Sequence, residues 1–401
     1  MELKAAGIVV EYNPFHNGHL YHAQQAKKQT GADVLIAVMS GQFLQRGEPA
    51  FADKWTRSKM ALASGVDLVI ELPYVYATAQ ATDFAKGSIA MLDALRCESF
   101  CFGSEEGDIH PFLKSHQMLD LNRDAYEQRI HEAVQTGISY PKALNDAYRS
   151  LVGEEEGFVD LTKPNNILGF HYIEAARKLQ SPIKPLTIKR MGANYHDPLE
   201  AGVSIASATG IREAFFEEGS LQKLAGYMPE ESLAALNDFH NEHGGFGSWE
   251  RFYPLLRYTI LKDGPARLAD YAEVTEGIEN LIFSAAKRAT TFETFIQLVK
   301  SKRYTRTRIQ RMLTHIYTGF TWQQLRGFKQ PGYLRLLGMT KSGRSYLNQE
   351  KKNIQLPIIS RTAELADPMG KQDVHASQLY MLGIGAPDLK KEFSTAPIYF
   401  G

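Results

Sequence analysis

Residues 7–20 read GIVVEYNPFHNGHL and set the architecture of the amino-terminal half. The small and β-branched residues that open this stretch predict a buried strand, and the helix-forming residues from position 18 onward predict a helix. An Asn-Pro pair between them predicts a turn. The stretch therefore predicts a strand, a loop and a helix, with His16 and His19 at the junction of loop and helix.

The two histidines are placed to bind phosphate. Residues three apart on the first turn of a helix share a face, and the free N–H groups of that turn attract an anion. Gly18 lacks a side chain, which lets a nucleotide approach the backbone. His16 and His19 can then donate hydrogen bonds to an α-phosphate and stabilise the charge that grows there in a transition state. The alternative is a pair of histidines with structural hydrogen bonds alone.

Strands and helices alternate along the first hundred residues. Continuous apolar runs at 33–39 (DVLIAVM), 67–72 (DLVIEL) and 99–103 (SFCFG) predict buried parallel strands with helices between them. The order predicts right-handed βαβ units, and hence an α/β fold with a doubly wound, Rossmann-like parallel sheet. Such sheets bind ligands at the carboxyl ends of their strands, where the two histidines are expected.

Strand signals fade after Gly219, and helical periodicity dominates the rest of the chain. Because 401 residues exceed the usual size of a single core, we expect two domains. Residues 1–219 are predicted to form an ATP-binding catalytic domain, and residues 220–401 a mainly α-helical, basic domain. The sequence contains no signal peptide and no apolar run of membrane-spanning length, so we expect a cytoplasmic protein without membrane contact.

The chain is neutral overall, with 45 basic and 45 acidic residues, but its charge is unevenly distributed. Between positions 300 and 352 there are thirteen basic residues and a single acid, Glu350. This composition, with Tyr304 and Tyr317 nearby for stacking, suits an RNA backbone and unstacked bases. The alternative is a solvated cationic helix paired with acids elsewhere in the fold, of which Glu273, Glu276 and Glu279 are candidates. The basic residues predicted to contact RNA are Lys302, Arg303, Arg306, Arg308 and Arg311.

Two motifs point to a known superfamily. The HNGH segment after an initial strand resembles the HxGH signature of the nucleotidyltransferase α/β phosphodiesterase superfamily, and residues 207–212 (SATGIR) resemble its SSTxIR element. The resemblance implies that the hydroxyls of Ser207 and Thr209 and the guanidinium of Arg212 hold the leaving pyrophosphate at a second helix N-terminus. For Arg212, the alternative is a solvated helix arginine.

Longer strings are similar to the bacterial tRNA(Met) cytidine acetate ligases over essentially the whole chain. These strings are GIVVEYNPFHNGH, SGQFLQRGEPAFADKWTR (40–57), KPNNILGFHY (163–172) and KRYTRTRIQRML (302–313). The resemblance implies that ATP activates acetate as acetyl-AMP. It further implies that the acetyl group passes to N4 of the wobble cytidine of elongator tRNA(Met), with release of AMP and pyrophosphate.

The resemblance also implies a set of ATP contacts, with His16 and His19 as the catalytic pair. The residues are Gly7, Ile8, Val9, Val10, Glu11, Tyr12, Asn13, Pro14, Phe15, His16, Asn17, Gly18, His19, Leu20, Gly103, Asn165, Arg190, Ser207, Thr209 and Arg212. Asn166 is an alternative to Asn165, for which a helix N-cap is the structural interpretation. A charged strand end without function is the alternative for Arg190.

The polar loop after the second strand carries Gln42, Arg46 and Lys54 on the same rim of the sheet. These residues are predicted to contact phosphate or tRNA, and an ordinary ordered loop is the alternative. Mg²⁺ is expected to arrive bound to the ATP phosphates, because the sequence contains no carboxylate cage or other metal site. We predict no stable protein partner.

Two other functions stay open at this point. A small-molecule adenylyltransferase of the coenzyme-biosynthesis type would use the HxGH core but leave the basic half unexplained. A non-catalytic RNA-binding protein would keep the nucleotide fold as a scaffold. Such a protein would not require His16, His19, Thr209 and Arg212 together.

Overall fold

The computed structural model describes residues 2–138, 140–153, 155–190, 205–275, 277–301 and 304–401. Its central sheet is mostly parallel. The strands are β1 (Ala5–Val10), β2 (Val34–Ser40), β3 (Leu68–Leu72), β4 (Ser99–Ser104), β5 (Lys184–Lys189), β6 (Leu334–Thr340), β7 (Ile358–Ile359) and β8 (Ile398–Phe400).

Helices connect and follow these strands. Up to residue 190 they are α1 (Asn17–Thr30), α2 (Lys54–Ala63), α3 (Tyr74–Ala77), α4 (Ala81–Ala94), α5 (His110–Leu121), α6 (Arg123–Gln135), α7 (Tyr140–Val152) and α8 (Pro164–Lys178). From residue 205 onward they are α9 (Ala208–Glu218), α10 (Glu230–His243), α11 (Trp249–Leu268), α12 (Ile278–Arg288), α13 (Phe292–Val299), α14 (Arg306–Thr318), α15 (Trp322–Gly327), α16 (Lys341–Glu350), α17 (Pro368–Gly383) and α18 (Lys391–Ser394).

The strand order confirms the doubly wound fold. The strands lie in the order β5-β4-β1-β2-β3-β6-β7, and the pairs among β1 to β5 are all parallel. From β1 the chain builds outward through β2 and β3, then returns to the other side of β1 with β4 and β5. The order therefore reverses between β1 and β4, and a crevice opens beside the carboxyl ends of these two strands.

The apolar runs in the sequence became the centre of the core. Every residue of β2 and β3 is buried, as expected for parallel strands that are covered on both faces. The buried apolar side chains form one cluster that extends from Ala5 to Ile384. The core is therefore shared by the amino-terminal and carboxyl-terminal halves.

The carboxyl-terminal half is mainly helical, as predicted, but it also completes the sheet. β6 pairs antiparallel with β3, and β7 and β8 both pair with β6. The sequence pattern predicts no definite strand of the sheet beyond residue 219, so the sheet is wider than predicted. The division of the chain into domains at that position stays a prediction.

A buried ion network ties α2 to the end of the chain. Nζ of Lys54 lies 2.7 Å from Oε2 of Glu71 and 2.9 Å from Oε1 of Glu392, and all three side chains are shielded from solvent. Arg335 of β6 lies 3.7 Å from the same Glu392 carboxylate. Burial by itself would lower the pKa of Lys54, but the two carboxylates raise it above its usual value. Lys54 is therefore a buried, paired cation.

Across the part of the chain that the structure describes, no helix combines the length and apolar character needed to cross a membrane. The cytoplasmic location stays a prediction.

Replacing Lys54 with Met should lower the free energy of unfolding by about 3–5 kcal/mol, because Glu71 and Glu392 would lose the cation that compensates their burial. Urea unfolding followed by circular dichroism measures the change. Lys59→Met on the same helix is the control, since Lys59 is exposed and lies 3.7 Å from the exposed Asp238. Loss of that surface pair should cost less than about 1 kcal/mol. Equal losses in the two variants would contradict the stabilising role of the network.

Candidate active site

The histidine loop lies at the point where the strand order reverses. β1 ends at Val10, and α1 begins at Asn17. His16 is the N-cap of α1, and its Nδ1 accepts a hydrogen bond from the Gly18 N–H at 3.0 Å. A Cβ at position 18 would lie 2.8 Å from Cε1 of His16. Glycine is therefore needed for the cap itself, in addition to the access for nucleotide that the sequence suggested.

His19 lies one helical turn further along. Its ring packs against that of His16 with centroids 3.8 Å apart, and its Nδ1 accepts from the His16 N–H at 3.4 Å. Because Nδ1 of each imidazole accepts a backbone N–H, the proton of each neutral ring lies on Nε2. Both rings are therefore hydrogen-bond donors, and the one N–H of the neutral His19 ring is engaged with the Pro14 carbonyl.

Both imidazoles are neutral near pH 7. Burial, assisted by the charges of Arg190 and Arg212, lowers the pKa of His16 to about 3. Burial also lowers the pKa of His19 well below its usual value, against a hydrogen bond to the Pro14 carbonyl that raises it. A neutral donor can stabilise a phosphate oxygen without the cost of burying an additional cation.

A third histidine, which the sequence analysis missed, follows at the same spacing. Burial and the charge of Arg190 lower the pKa of His22 to about 4, while a hydrogen bond to the Cys101 carbonyl opposes the shift. Nε2 of His22 is buried and has no hydrogen-bond partner among the described residues. The regular interval from His16 to His19 to His22 was the signal that could have identified it.

Aromatic rings fix the position of His19. The ring of Tyr12 meets it edge-on with centroids 5.0 Å apart, and the Phe15 ring lies 5.7 Å away. Tyr12 is fully buried and adopts the left-handed backbone conformation, with φ of 52°. That conformation costs a non-glycine residue about 1–2 kcal/mol and persists only where the surroundings enforce it. The packing around His19 therefore outweighs a local backbone strain.

The first residues of the predicted ATP-binding stretch lie within β1. Ile8 and Val10 are buried in the core, and a Cβ on Gly7 would overlap the side chain of Leu92 in α4. These residues of β1 pack in the core and anchor the histidine loop, which follows the strand. Direct contact between them and ATP stays a prediction.

Gly103 and Arg190 meet at the neighbouring strand ends. β4 and β5 pair side by side, and the Arg190 N–H donates to the Ser104 carbonyl at 2.9 Å. A Cβ on Gly103 would lie 3.2 Å from Cγ of Arg190, so the arginine packs closely on a position without a side chain. The positive charge of Arg190 contributes to the lowered pKa of His16, His19 and His22.

Asn165 and Asn166 both hold the loop that follows β4. Asn166 is buried, and its Oδ1 accepts the N–H groups of Glu105 and Glu106 at 3.0 and 3.1 Å. Asn165 is half-buried and donates from Nδ2 to the Glu105 carboxylate at 2.6 Å. Asn166 thus shapes the loop, whereas Asn165 is the more accessible of the two. Contact between Asn165 and ATP stays a prediction.

The SATGIR segment forms the beginning of α9. Ser207 is the N-cap, and its hydroxyl accepts from the Gly210 N–H at 3.0 Å. Thr209 is buried in the first turn. The segment therefore presents a helix N-terminus, as the sequence predicted.

Arg212 joins α9 to the histidine loop. Nη1 donates to the Asn13 carbonyl at 2.7 Å, and Nη2 lies 3.4 Å from both the Thr209 hydroxyl and the Glu48 carboxylate. The two motifs that are 190 positions apart in the sequence thus form one site. Contact between Arg212 and the pyrophosphate moiety stays a prediction.

Two of the predicted phosphate or tRNA contacts are wrong. Lys54 is enclosed in the ion network described above, and Gln42 is only 4% exposed. Gln42 donates from Nε2 to the Ser377 hydroxyl at 3.2 Å and accepts from the Lys54 N–H. Both side chains therefore stabilise the loop from inside. Arg46 is half-buried near Glu11, and its contact with phosphate or tRNA stays a prediction.

The basic face of α14 is also narrower than predicted. Arg311 is buried and forms an ion pair with Glu273, with Nη2 2.8 Å from Oε2, so its prediction as an RNA contact is wrong. Tyr304 and Tyr317 are buried and offer no free ring for a base, which corrects the predicted stacking role. The sequence alone does not show that Arg311, Tyr304 and Tyr317 are buried. An arginine-rich helix has the same local pattern whether its arginines are exposed or form ion pairs with acidic side chains from elsewhere in the fold.

Arg306 and Arg308 are the predicted tRNA contacts of α14 that the structure leaves accessible. Arg306 is exposed and lies 2.8 Å from Glu293, and the half-buried Arg308 donates to the Thr275 hydroxyl at 3.0 Å. An exposed ion pair of this kind is weak enough to be exchanged for a phosphate. Lys302 and Arg303 lie outside the described residues. The tRNA contacts of Arg306 and Arg308 stay predictions.

Among the described residues, no group of three or more His, Cys, Asp or Glu side chains could hold a metal ion. The expectation that Mg²⁺ arrives with the ATP phosphates stays a prediction.

Replacing His16 with Asn should reduce the loss of stability on acidification. Because the folded-state pKa of His16 is about 3, the unfolded chain binds a proton below pH 6.5 that the folded chain does not, and stability falls as the pH falls. Between pH 7 and pH 5 this single site should destabilise the parent relative to the variant by about 2 kcal/mol. Urea unfolding at both pH values measures the difference, and parallel pH curves for the two proteins would contradict the assigned burial.

The chain resembles known proteins over its full length. The HIGH Nucleotidyl Transferase family profile matches residues 3–393. The tRNA(Met) cytidine acetate ligase of Lysinibacillus sphaericus (strain C3-41) is 57% identical over 401 residues, which cover 99% of this chain and 100% of that protein. The crystal structure of Thermotoga maritima TmcAL bound with alpha-thio ATP has a TM-score of 0.89 and 34% identity, and covers 99% of both chains. The apo form has a TM-score of 0.91 and 35% identity, covering 99% of this chain and 100% of that one. The chain therefore belongs to the tRNA(Met) cytidine acetate ligase family of HIGH nucleotidyltransferases.

Proposed function

We propose that this chain is an ATP-dependent ligase that acetylates N4 of the wobble cytidine in elongator tRNA(Met). The proposal rests on the meeting of His16, His19, Arg190 and Arg212 beside the point where the strand order reverses. Two neutral donors and two cations there suit a bound triphosphate. The names of the relatives supply the substrates: the Lysinibacillus protein is named for tRNA(Met) and acetate, and the Thermotoga structure holds alpha-thio ATP.

The first step forms acetyl-AMP. A carboxylate oxygen of acetate attacks the α-phosphorus of ATP. The bond between that phosphorus and the α,β-bridging oxygen breaks, and pyrophosphate leaves. Acetate is already ionised near neutral pH, so the step needs no general base. His16 donates from Nε2 to a non-bridging oxygen as negative charge grows on it, and the N–H of His19 exchanges the Pro14 carbonyl for a second non-bridging oxygen. Arg212, in the first turns of α9, binds the departing pyrophosphate.

Magnesium fits this step as a partner of the nucleotide. When bound, Mg²⁺ neutralises charge on the ATP phosphates. Bound Mg²⁺ would be held through the ATP phosphates, and the described residues form no metal cluster of their own. His16, His19 and Arg212 then orient the α-phosphate and the leaving group.

The second step transfers the acetyl group to RNA. The N4 amine of cytidine attacks the acetyl carbonyl, AMP leaves with the electrons of the broken anhydride bond, and the nitrogen loses a proton. The base must leave its stack to reach the anhydride, which costs less in an anticodon loop than in a duplex. Arg306 and Arg308 bind the phosphate backbone of that loop. Acetate and tRNA(Met) are the partners in this proposal, with no stable protein partner.

Incubation of the pure protein with ATP, labelled acetate and bacterial tRNA, without coenzyme A, tests the proposal. The expected result is label in N4-acetylcytidine together with AMP and pyrophosphate. Pyrophosphate release without labelled tRNA would instead favour a small-molecule adenylyltransferase. Binding of tRNA without any turnover of ATP would favour a non-catalytic RNA-binding protein.

Replacing His19 with Ala should lower acetate-dependent ATP–pyrophosphate exchange by roughly 10²–10³-fold, because one donor to the α-phosphate is lost in the transition state. Thermal unfolding should show that the variant is folded. His110→Ala is the control, since that histidine is an exposed residue at the start of α5 whose ring bonds to Asp108. Full exchange activity in His19→Ala would remove the phosphate role of His19.

Replacing both Arg306 and Arg308 with Ala should weaken tRNA binding and leave ATP–pyrophosphate exchange unchanged. Loss of two phosphate contacts should also reduce the slope of log affinity against log salt by roughly 1 to 2. Filter binding at several salt concentrations measures both effects. Lys4→Ala is the matched control, because Lys4 is an exposed cation before β1, at the opposite end of the strands from the histidine loop. Equal loss of tRNA binding and exchange activity would point to misfolding instead.

A further inference from the structure

The loop after β2 contains a carboxylate that bonds to both halves of the chain. Oε2 of Glu48 lies 3.4 Å from Nη2 of Arg212, and Oε1 accepts a hydrogen bond from Nε2 of Gln310 at 3.3 Å. Arg212 belongs to the candidate active site, whereas Gln310 belongs to α14 in the helical half. A single side chain therefore connects α14 to the arginine at the pyrophosphate end of the site.

The backbone of this loop is fixed against the helical half. Gly47 adopts φ of 72°, and a Cβ there would lie 2.2 Å from the backbone nitrogen of Arg311. The loop and α14 thus touch backbone to backbone. Trp249 of α11 donates from Nε1 to the Gly47 carbonyl at 2.8 Å. Two helices of the carboxyl-terminal half therefore set the position of Glu48.

The other side of the loop contacts the residues that follow β1. The Gln45 N–H donates to Oε1 of Glu11 at 2.7 Å, and Nε2 of Gln45 donates to the Ala79 carbonyl at 2.9 Å. The Leu44 N–H donates to the Glu48 carbonyl at 2.9 Å and closes the turn. Because both ends of the turn are held, the Glu48 backbone has little freedom left to lose when ATP binds.

We propose that Glu48 and Gln310 are positioning residues for the triphosphate of ATP. Gln310 holds Glu48, Glu48 holds the guanidinium plane of Arg212, and Arg212 binds the phosphates. The helical half thereby completes the pyrophosphate side of the active site, besides any role in binding RNA. This inference rests on the proposed function for the identity of the anion that Arg212 binds.

The geometry fits an arginine whose guanidinium is oriented by its neighbours. An arginine side chain carries about 2 kcal/mol of rotamer entropy, which is lost when it binds unless its fork is already held in place. Asn13 holds one end of the Arg212 fork and Glu48 holds the other. The 3.4 Å contact to Glu48 is long for an ion pair, so a phosphate oxygen can join it at low cost. The hydrogen bond that Gln310 donates to Glu48 partly offsets the negative charge of that carboxylate and so weakens its repulsion of phosphate.

Replacing Gln310 with Met tests this series of contacts, from Gln310 through Glu48 to Arg212, at the residue furthest from the phosphates. Met preserves most of the side-chain volume of Gln but cannot donate a hydrogen bond. The dissociation constants of inorganic pyrophosphate and of ATP should each rise about fivefold in isothermal titration calorimetry. In ATP–pyrophosphate exchange, the KM for ATP should rise while the KM for acetate stays within about twofold. Thr314→Val is the matched control, since it removes a buried hydroxyl one turn along α14 and leaves the Gln310 side chain in place.

A double-variant cycle tests whether the effect passes through Glu48. In a Glu48→Ala background, Gln310→Met should change pyrophosphate affinity by less than about twofold. The inference is overturned if Gln310→Met leaves pyrophosphate affinity unchanged, if it weakens pyrophosphate equally with and without Glu48, or if the KM for acetate rises as much as that for ATP. Absence of acetate-dependent exchange in the parent would instead contradict the proposed function. The dissociation constants of pyrophosphate, measured by calorimetry, would still show whether Gln310 and Glu48 position Arg212.

Discussion

The N–H of Gly18 donates to Nδ1 of His16 at the corner where β1 turns into α1. This bond caps the helix, and it also determines the chemistry of the ring, because an accepting Nδ1 places the imidazole proton on Nε2. Burial beside two arginines then keeps the ring neutral. The site is therefore built to donate hydrogen bonds to an anion rather than to accept a proton from a substrate.

The surroundings of that corner come from distant parts of the chain. Arg190 follows β5, Arg212 lies on α9, and Glu48 projects from the loop after β2. The parallel sheet places Arg190 beside the corner because the carboxyl ends of its strands meet at one edge. Arg212 is held there by its hydrogen bond to the Asn13 carbonyl. The third is placed by α11 and α14, which belong to the half that was expected to serve RNA. Helices of the carboxyl-terminal half therefore help to shape the candidate active site of the amino-terminal half.

The sequence predicted those elements whose burial in the folded protein matches the hydrophobic pattern of their own residues, and those motifs that begin a helix. Continuous apolar runs became buried strands, and the HNGH and SATGIR segments became helix N-termini in one site. The RNA or phosphate contacts predicted for Lys54 and Arg311 were wrong because tertiary contacts pair these cations with Glu392 and Glu273. The sequence offered Glu273 as a candidate partner of the basic helix, but local pattern could not decide between that pairing and contact with RNA. Residues 334–340 were missed as a strand because a tertiary partner, β3, decides their conformation.

The antiparallel pairing of β3 with β6 has a consequence for how the protein is made. The outer edge of β3 receives its partner only after residues 334–340 have been synthesised. At about 5–20 residues per second, a ribosome needs on the order of ten seconds or more to cover that distance. During this interval the nascent chain carries an uncovered strand edge that can pair with other chains. Covering of the β3 edge therefore waits for the synthesis of residues 334–340, and a messenger truncated before them would yield an aggregation-prone product.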